Sequence, residues 1–144
     1  MRLFLMTATA AGFAFATAMM MADEAAAVQD MPTTINGVET VCTGVGSAKD
    51  DPRWSSYPVK IVLATSGGAN LANAHVSLIK GSQEVAALDC DAPWILFKPP
   101  AGSYTATASL IGGSRTAHAN FATSGSGAQK EVTLVFPRGE APTQ

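Results

Sequence analysis

The chain has 144 residues, and its nine Lys and Arg against eleven Asp and Glu give a formal net charge of −2. Charged residues make up only 14% of it and are scattered, so nothing steers it towards nucleic acid or an anionic membrane surface. The length suits one folded domain.

Met1-Arg2 supplies a positive start, and Leu3 to Met21 carries no charge. Small residues follow, ending in Ala25-Ala26-Ala27. A charged start, an apolar run and an Ala-x-Ala exit are the layout of a secretory signal peptide, expected over 1–27. Cleavage is placed after Ala27, with Ala22 as the other position. A membrane anchor is the competing reading, but the run is marginal in length and rich in Ala and Thr. Removing the leader takes Arg2 from the basic residues and Asp23 and Glu24 from the acidic ones, leaving a net charge of about −1 and no membrane span. The protein is expected to be periplasmic or secreted, of the Gram-negative type.

Residues 28–37 read as a flexible lead-in, with a turn signal at Asn36-Gly37. A first strand is expected over Val38–Thr43. Gly44 to Ser56 is the longest polar stretch and reads as a loop. Tyr57 to Thr65 is the next strand, with Val59, Ile61 and Leu63 on its core face and Lys60 opposed. Ser66 to Asn70 turns the chain. His75–Lys80 puts Val76 and Leu78 inward and His75, Ser77 and Ile79 outward. Gly81-Ser82 turns it into Gln83–Cys90, and Asp91-Ala92-Pro93 breaks that strand.

Trp94–Lys98 and Ser103–Ile111 are joined by Pro99-Pro100-Ala101-Gly102 and read as two strands of a hairpin. The second alternates strictly, with Tyr104, Ala106 and Ala108 against Thr105 and Thr107. The prolines fix φ and remove two N–H donors, and Gly102 is expected at positive φ. Tyr104 is expected to bury its ring and give its hydroxyl a backbone partner, with Trp94 as a core anchor opposite. Gly112-Gly113-Ser114 leads into Arg115–Thr123, and Lys130–Phe136 closes the domain with Val132, Leu134 and Phe136 on one face. Residues 138–144 read as a disordered tail. No segment after the leader has helical periodicity. Short strands between regular turns predict an all-β fold, a single Greek-key β-sandwich of seven or eight strands over 38–137.

Cys42 and Cys90 are the two cysteines. In an exported domain such a pair favours a disulfide, with two buried thiols as the alternative. His75 and His118, the two histidines, fall on outward strand faces without metal-ligand spacing. Asp50-Asp51 and Asp89/Asp91 sit in turn contexts, and Ser124-Gly125-Ser126-Gly127 bridges strands without a nucleophile elbow. No metal, cofactor or catalytic constellation is expected. The long loop is the best candidate for binding. Asp51, Arg53 and Trp54 place a guanidinium beside an indole, a common interface pairing. The competing reading is that Trp54 folds back and caps the sandwich edge.

Gly68-Ala69-Asn70-Leu71-Ala72, Val76-Ser77-Leu78, Ala92-Pro93-Trp94-Ile95-Leu96-Phe97, Pro99-Pro100-Ala101-Gly102-Ser103-Tyr104 and Val132-Thr133-Leu134-Val135-Phe136 together resemble the carboxypeptidase regulatory-like domains, over roughly 38–137. The resemblance implies a transthyretin-like sandwich, small and exported. It also implies a non-catalytic module with a structural or binding role, its partner an envelope protein or a glycan. The alternative is a hydrolase with an unrecognised site on a transthyretin-like fold. The hydroxyisourate hydrolases of that fold end in Tyr-Arg-Gly-Ser, where this chain has Pro137-Arg138-Gly139-Glu140, which argues against that enzyme group.

Overall fold

A computed structural model of the chain describes residues 27–137. The leader expected over 1–27, its last residue excepted, and the tail expected over 138–144 lie outside the described residues.

The fold is a β-sandwich with nine strands in two sheets: β1 (Thr33–Ile35), β2 (Val38–Thr43), β3 (Val59–Thr65), β4 (Ala74–Lys80), β5 (Gln83–Cys90), β6 (Trp94–Lys98), β7 (Gly102–Leu110), β8 (Thr116–Thr123) and β9 (Lys130–Phe136). One sheet runs β1-β2-β6-β3-β9 and the other β5-β4-β7-β8. Every pairing is antiparallel except β3 with β9, which is parallel from Val59↔Lys130 to Thr65↔Phe136. Strand alternation fills the space between the sheets. Ile61, Leu63, Val76, Leu78, Ile95, Phe97, Ala106, Leu134 and Phe136 all lie in this core, each at most 1% exposed. The expected lead-in over 28–37 contains β1. Asn36 and Gly37 both have positive φ, 49° and 80°, and such a pair closes a two-residue hairpin whose twist suits its strands.

Cys42 and Cys90 are bridged, with Cα atoms 5.7 Å apart, and tie β2 of one sheet to β5 of the other. Hairpins join β4 to β5 and β7 to β8, while the remaining links beyond β3 pass between sheets.

Two expectations are corrected. Trp94–Lys98 and the strand after it do not form a hairpin, because β6 and β7 lie in opposite sheets. Both edges of β6 are taken, by β2 and β3. Pro99 and Pro100 have no N–H to continue the ladder, so the chain leaves the sheet and crosses. Tyr104, at the far end of this crossover, donates its hydroxyl to the Pro100 carbonyl at 2.6 Å, and its ring stacks on Phe121. Gly102 has φ 156°. Trp94 is not a core anchor opposite Tyr104. It shares its parity with Leu96 and Lys98, and Leu96 belongs to a cluster separate from the main core. Alternation therefore sets Trp94 on the outer face of the five-stranded sheet.

Candidate functional site

The outer face of the five-stranded sheet is built by Glu39, Val41 and Thr43 of β2, Trp94, Leu96 and Lys98 of β6, and Lys60 and Val62 of β3, with Glu131 of β9 alongside. Registers place Val41 and Lys60 on either side of Leu96, and Thr43 and Val62 on either side of Trp94. A greasy patch on a face turned away from the main core needs a cover, and the loop from Gly44 to Pro58 supplies it.

The loop holds two short 3-10 helices, Gly46–Asp50 and Pro52–Ser56. Asp51 caps the second, its carboxylate accepting the Arg53 backbone N–H at 2.9 Å, and Pro52 starts that helix with a preset φ. This turns Trp54 inward, where it forms a second small core with Val41, Tyr57 and Leu96 and is 4% exposed. The indole N–H donates to the Ala48 carbonyl at 2.7 Å, and the Tyr57 ring meets it edge-on at 6.1 Å. Gln129 anchors the loop from below, its amide donating to the carbonyls of Trp54 and Tyr57 at 2.9 Å each.

The three sequence-nominated residues are thus brought together but differ in availability. Trp54 is the cap. Asp51 is engaged twice by the Arg53 side chain, at 2.9 and 2.7 Å, and these bonds hold its carboxyl below the usual range. Arg53, raised in turn by that carboxylate, lies over the Trp54 ring at 4.7 Å with 60% of its side chain exposed. Of the three, the guanidinium is the part offered to solvent.

Beside this loop is a cleft of about 200 Å³ lined by Lys49, Asp50, Asp51, Trp54, Ser55, Lys60, Trp94, Leu96 and Gln129. Sequence reading missed Lys60, Trp94 and Gln129, although the shared parity of Trp94, Leu96 and Lys98 signalled the face. Lys60 sets its ammonium 3.4 Å above the Trp94 ring centroid and 3.6 Å from Glu131. Gly44, at φ 106°, packs so closely on Trp94 that a Cβ there would stand 2.6 Å from the ring's Cγ. At the other end of the face, the Tyr57 hydroxyl donates to Glu39 at 2.6 Å, while Lys98 covers the Tyr57 ring at 4.5 Å and pairs with Glu39 at 3.5 Å. That bond lowers the Glu39 carboxyl, and burial followed by the same bond raises the Tyr57 phenol. The cleft therefore presents an indole, carboxylates, ammonium groups and an amide side by side, able to donate and accept hydrogen bonds.

The opposite face, on the four-stranded sheet, carries both histidines. His75 Nδ1 lies 2.7 Å from Asp89, and Ser109 is the register partner of His75 on the next strand. His118 is separated from His75 by β7 and pairs with Thr107, not Ser109. Among the described residues no cluster of three or more His, Cys, Asp or Glu could hold a metal ion, and no helix is long and apolar enough to cross a membrane. No protein-family model matches the chain, and no curated protein matches it.

Proposed function

We propose that the chain is an exported, non-catalytic binding module of the cell envelope that holds a glycan in the cleft between the Gly44–Pro58 loop and the outer face of the five-stranded sheet. The observation that carries this is the joint presentation of the Trp94 indole and Lys60 ammonium in a cleft also lined by Asp50, Ser55 and Gln129. Mixed donors and acceptors beside an aromatic ring suit a neutral polyhydroxylated ligand, and the small volume suits a single sugar ring. The loop is fastened by Trp54 and Gln129, so the cleft exists before a ligand arrives. Export is supported by the leader pattern and by the Cys42–Cys90 bridge, a bond typical of oxidising compartments. The resemblance to carboxypeptidase regulatory-like domains fits a module without chemistry of its own, although fold alone assigns no function.

The test is binding of the purified protein to envelope polysaccharides and their oligosaccharides, followed by intrinsic tryptophan fluorescence. Saturable binding that weakens about tenfold or more in Trp94→Ala supports the reading. Absence of binding, or binding unchanged in both Trp94→Ala and Asp50→Ala, defeats it.

A second reading, a hydrolase, draws on the His75–Asp89 pair with Ser109 beside it. It is the weaker, because this triplet lies on the open face of a sheet without a cavity to exclude water.

A further inference from the structure

Edges are where a β-sheet meets other chains, because an edge strand carries a row of unpaired N–H and C=O groups. The two sheets end in β1, β9, β5 and β8. Three of these edges are blunted. β1 is only three residues long. β9 opens on exposed Lys130 and Glu131. β5 opens on exposed Gln83 and Glu84, its pairing with β4 slips at Leu78/Ile79, and the Ala27 N–H donates to the Asp89 carbonyl at its far end.

β8 has none of these devices. Its sequence, Thr116-Ala117-His118-Ala119-Asn120-Phe121-Ala122-Thr123, contains no Lys, Arg, Asp, Glu, Pro or Gly. It pairs with β7 without a slip from Gly102↔Thr123 to Ser109↔Thr116. The Ile111 N–H donates to the Asn73 carbonyl, which assigns the odd-numbered groups of β7 to β4 and the even-numbered ones to β8. Through the register, Ala117, Ala119 and Phe121 bond to β7, and Thr116, His118, Asn120 and Ala122 aim their backbone groups at the open edge. The side chains of those four are exposed.

We propose that β8 is a self-association edge. It pairs antiparallel with β8 of a second copy about a two-fold axis and joins the two four-stranded sheets into one. The second copy is the occupant because an isologous contact requires a strand complementary to itself. Without Lys, Arg, Asp or Glu, β8 sets no such like charges opposite each other across the axis. Its exposed row of hydroxyl, imidazole and amide groups can hydrogen-bond with the same row, and Ala117 and Ala119 on the other side are small enough for close approach. This surface is separate from the cleft, so dimerisation and ligand binding can fail independently.

The test is sedimentation of the purified protein from about 1 to 200 μM, the range suited to a small interface. Wild type is expected to pass from monomer to dimer. Ala122→Pro removes an N–H that β7 does not use, and His118→Lys places like charges near the axis. Both variants are expected to stay monomeric. Amide exchange of the wild type supplies a readout independent of variant folding: the N–H groups of Thr116, His118, Asn120 and Ala122 should slow about tenfold as concentration rises, while those of β9 stay constant. A wild type monomeric at the highest concentration, a dimer that survives in both variants, or concentration-dependent protection located elsewhere overturns the proposal. So does a β8 edge that stays open to its own kind but captures a strand of another protein.

Discussion

The Lys60 ammonium stands 3.4 Å above the ring centroid of Trp94, with only 15% of the lysine side chain exposed. A cation held this close to an indole and half removed from water is stabilised by about 1–2 kcal/mol. Lys60→Met keeps the stem and removes the charge. It is expected to lower stability by about that amount and to change the emission of Trp94, read by chemical denaturation and steady-state fluorescence. A variant as stable as wild type with unchanged emission would show that the contact contributes nothing.

The backbone on the other side of this indole is equally constrained. At Gly44 an L side chain would meet both a left-handed φ of 106° and the Trp94 ring at 2.6 Å. Gly44→Ala is expected to cost about 2 kcal/mol or more, whereas Gly46→Ala, with open space at its Cβ position, is expected to cost only its φ strain of about 1 kcal/mol. Thermal melts of the two variants rank them, and equal losses would contradict the packing.

Trp54 fastens the loop. Trp54→Ala is expected to cost about 3–5 kcal/mol and to expose the loop to limited proteolysis between Gly44 and Pro58. Arg53→Ala, which removes an exposed head group from the same place, is expected to change stability by about 0.5 kcal/mol or less. Mass mapping of the first cleavage sites separates local loosening from global unfolding.

The bridge between Cys42 and Cys90 closes a loop with a sequence separation of 48 residues, which in the chain-entropy model is worth about 4 kcal/mol. Cys42→Ala with Cys90→Ala is expected to lose roughly that much, measured in urea without reductant. A loss below about 1 kcal/mol would mean that the two sheets hold together without the staple.

The Tyr57–Glu39 bond makes stability depend on acidity. The folded Glu39 carboxyl titrates below its ordinary value because Tyr57 donates to it and Lys98 lies close. Its contribution is therefore complete above the unfolded value and disappears as pH falls through the lower, folded one. Asp51 behaves the same way through Arg53. The melting temperature should fall on acidification below about pH 4, and Glu39→Gln should be less stable than wild type near neutrality while showing a shallower fall. Parallel curves for the two proteins would remove Glu39 as a cause.

Strand positions from Val38 to Phe136 were legible because apolar alternation is a local signal, and one residue of slip would have put Val59, Ile61 and Leu63 into water. Sheet membership was not legible. Pro99-Pro100 ends a strand equally well before a hairpin or before a crossover, and only the occupation of both β6 edges decides between them. The orientation of Trp94 failed for a related reason. Alternation assigns it the face of Leu96, but sequence does not tell that this face has a second layer. The layer itself was hidden in a polar loop, where Trp54 and Tyr57 supply its apolar contacts and a single capping carboxylate, Asp51, aims the indole.

The parallel pairing of β3 with β9 has a kinetic consequence. β3 leaves one of its sides unmatched until the last strand of the domain arrives, and Val59 to Thr65 must wait for Lys130 to Phe136. A ribosome making this chain releases nearly the whole sequence before that ladder can close. Contacts so distant along the chain slow the search for the native arrangement. The incomplete intermediate shows Val132, Leu134 and Phe136 to whatever chaperone meets it, and a truncation before Lys130 should remain in that state.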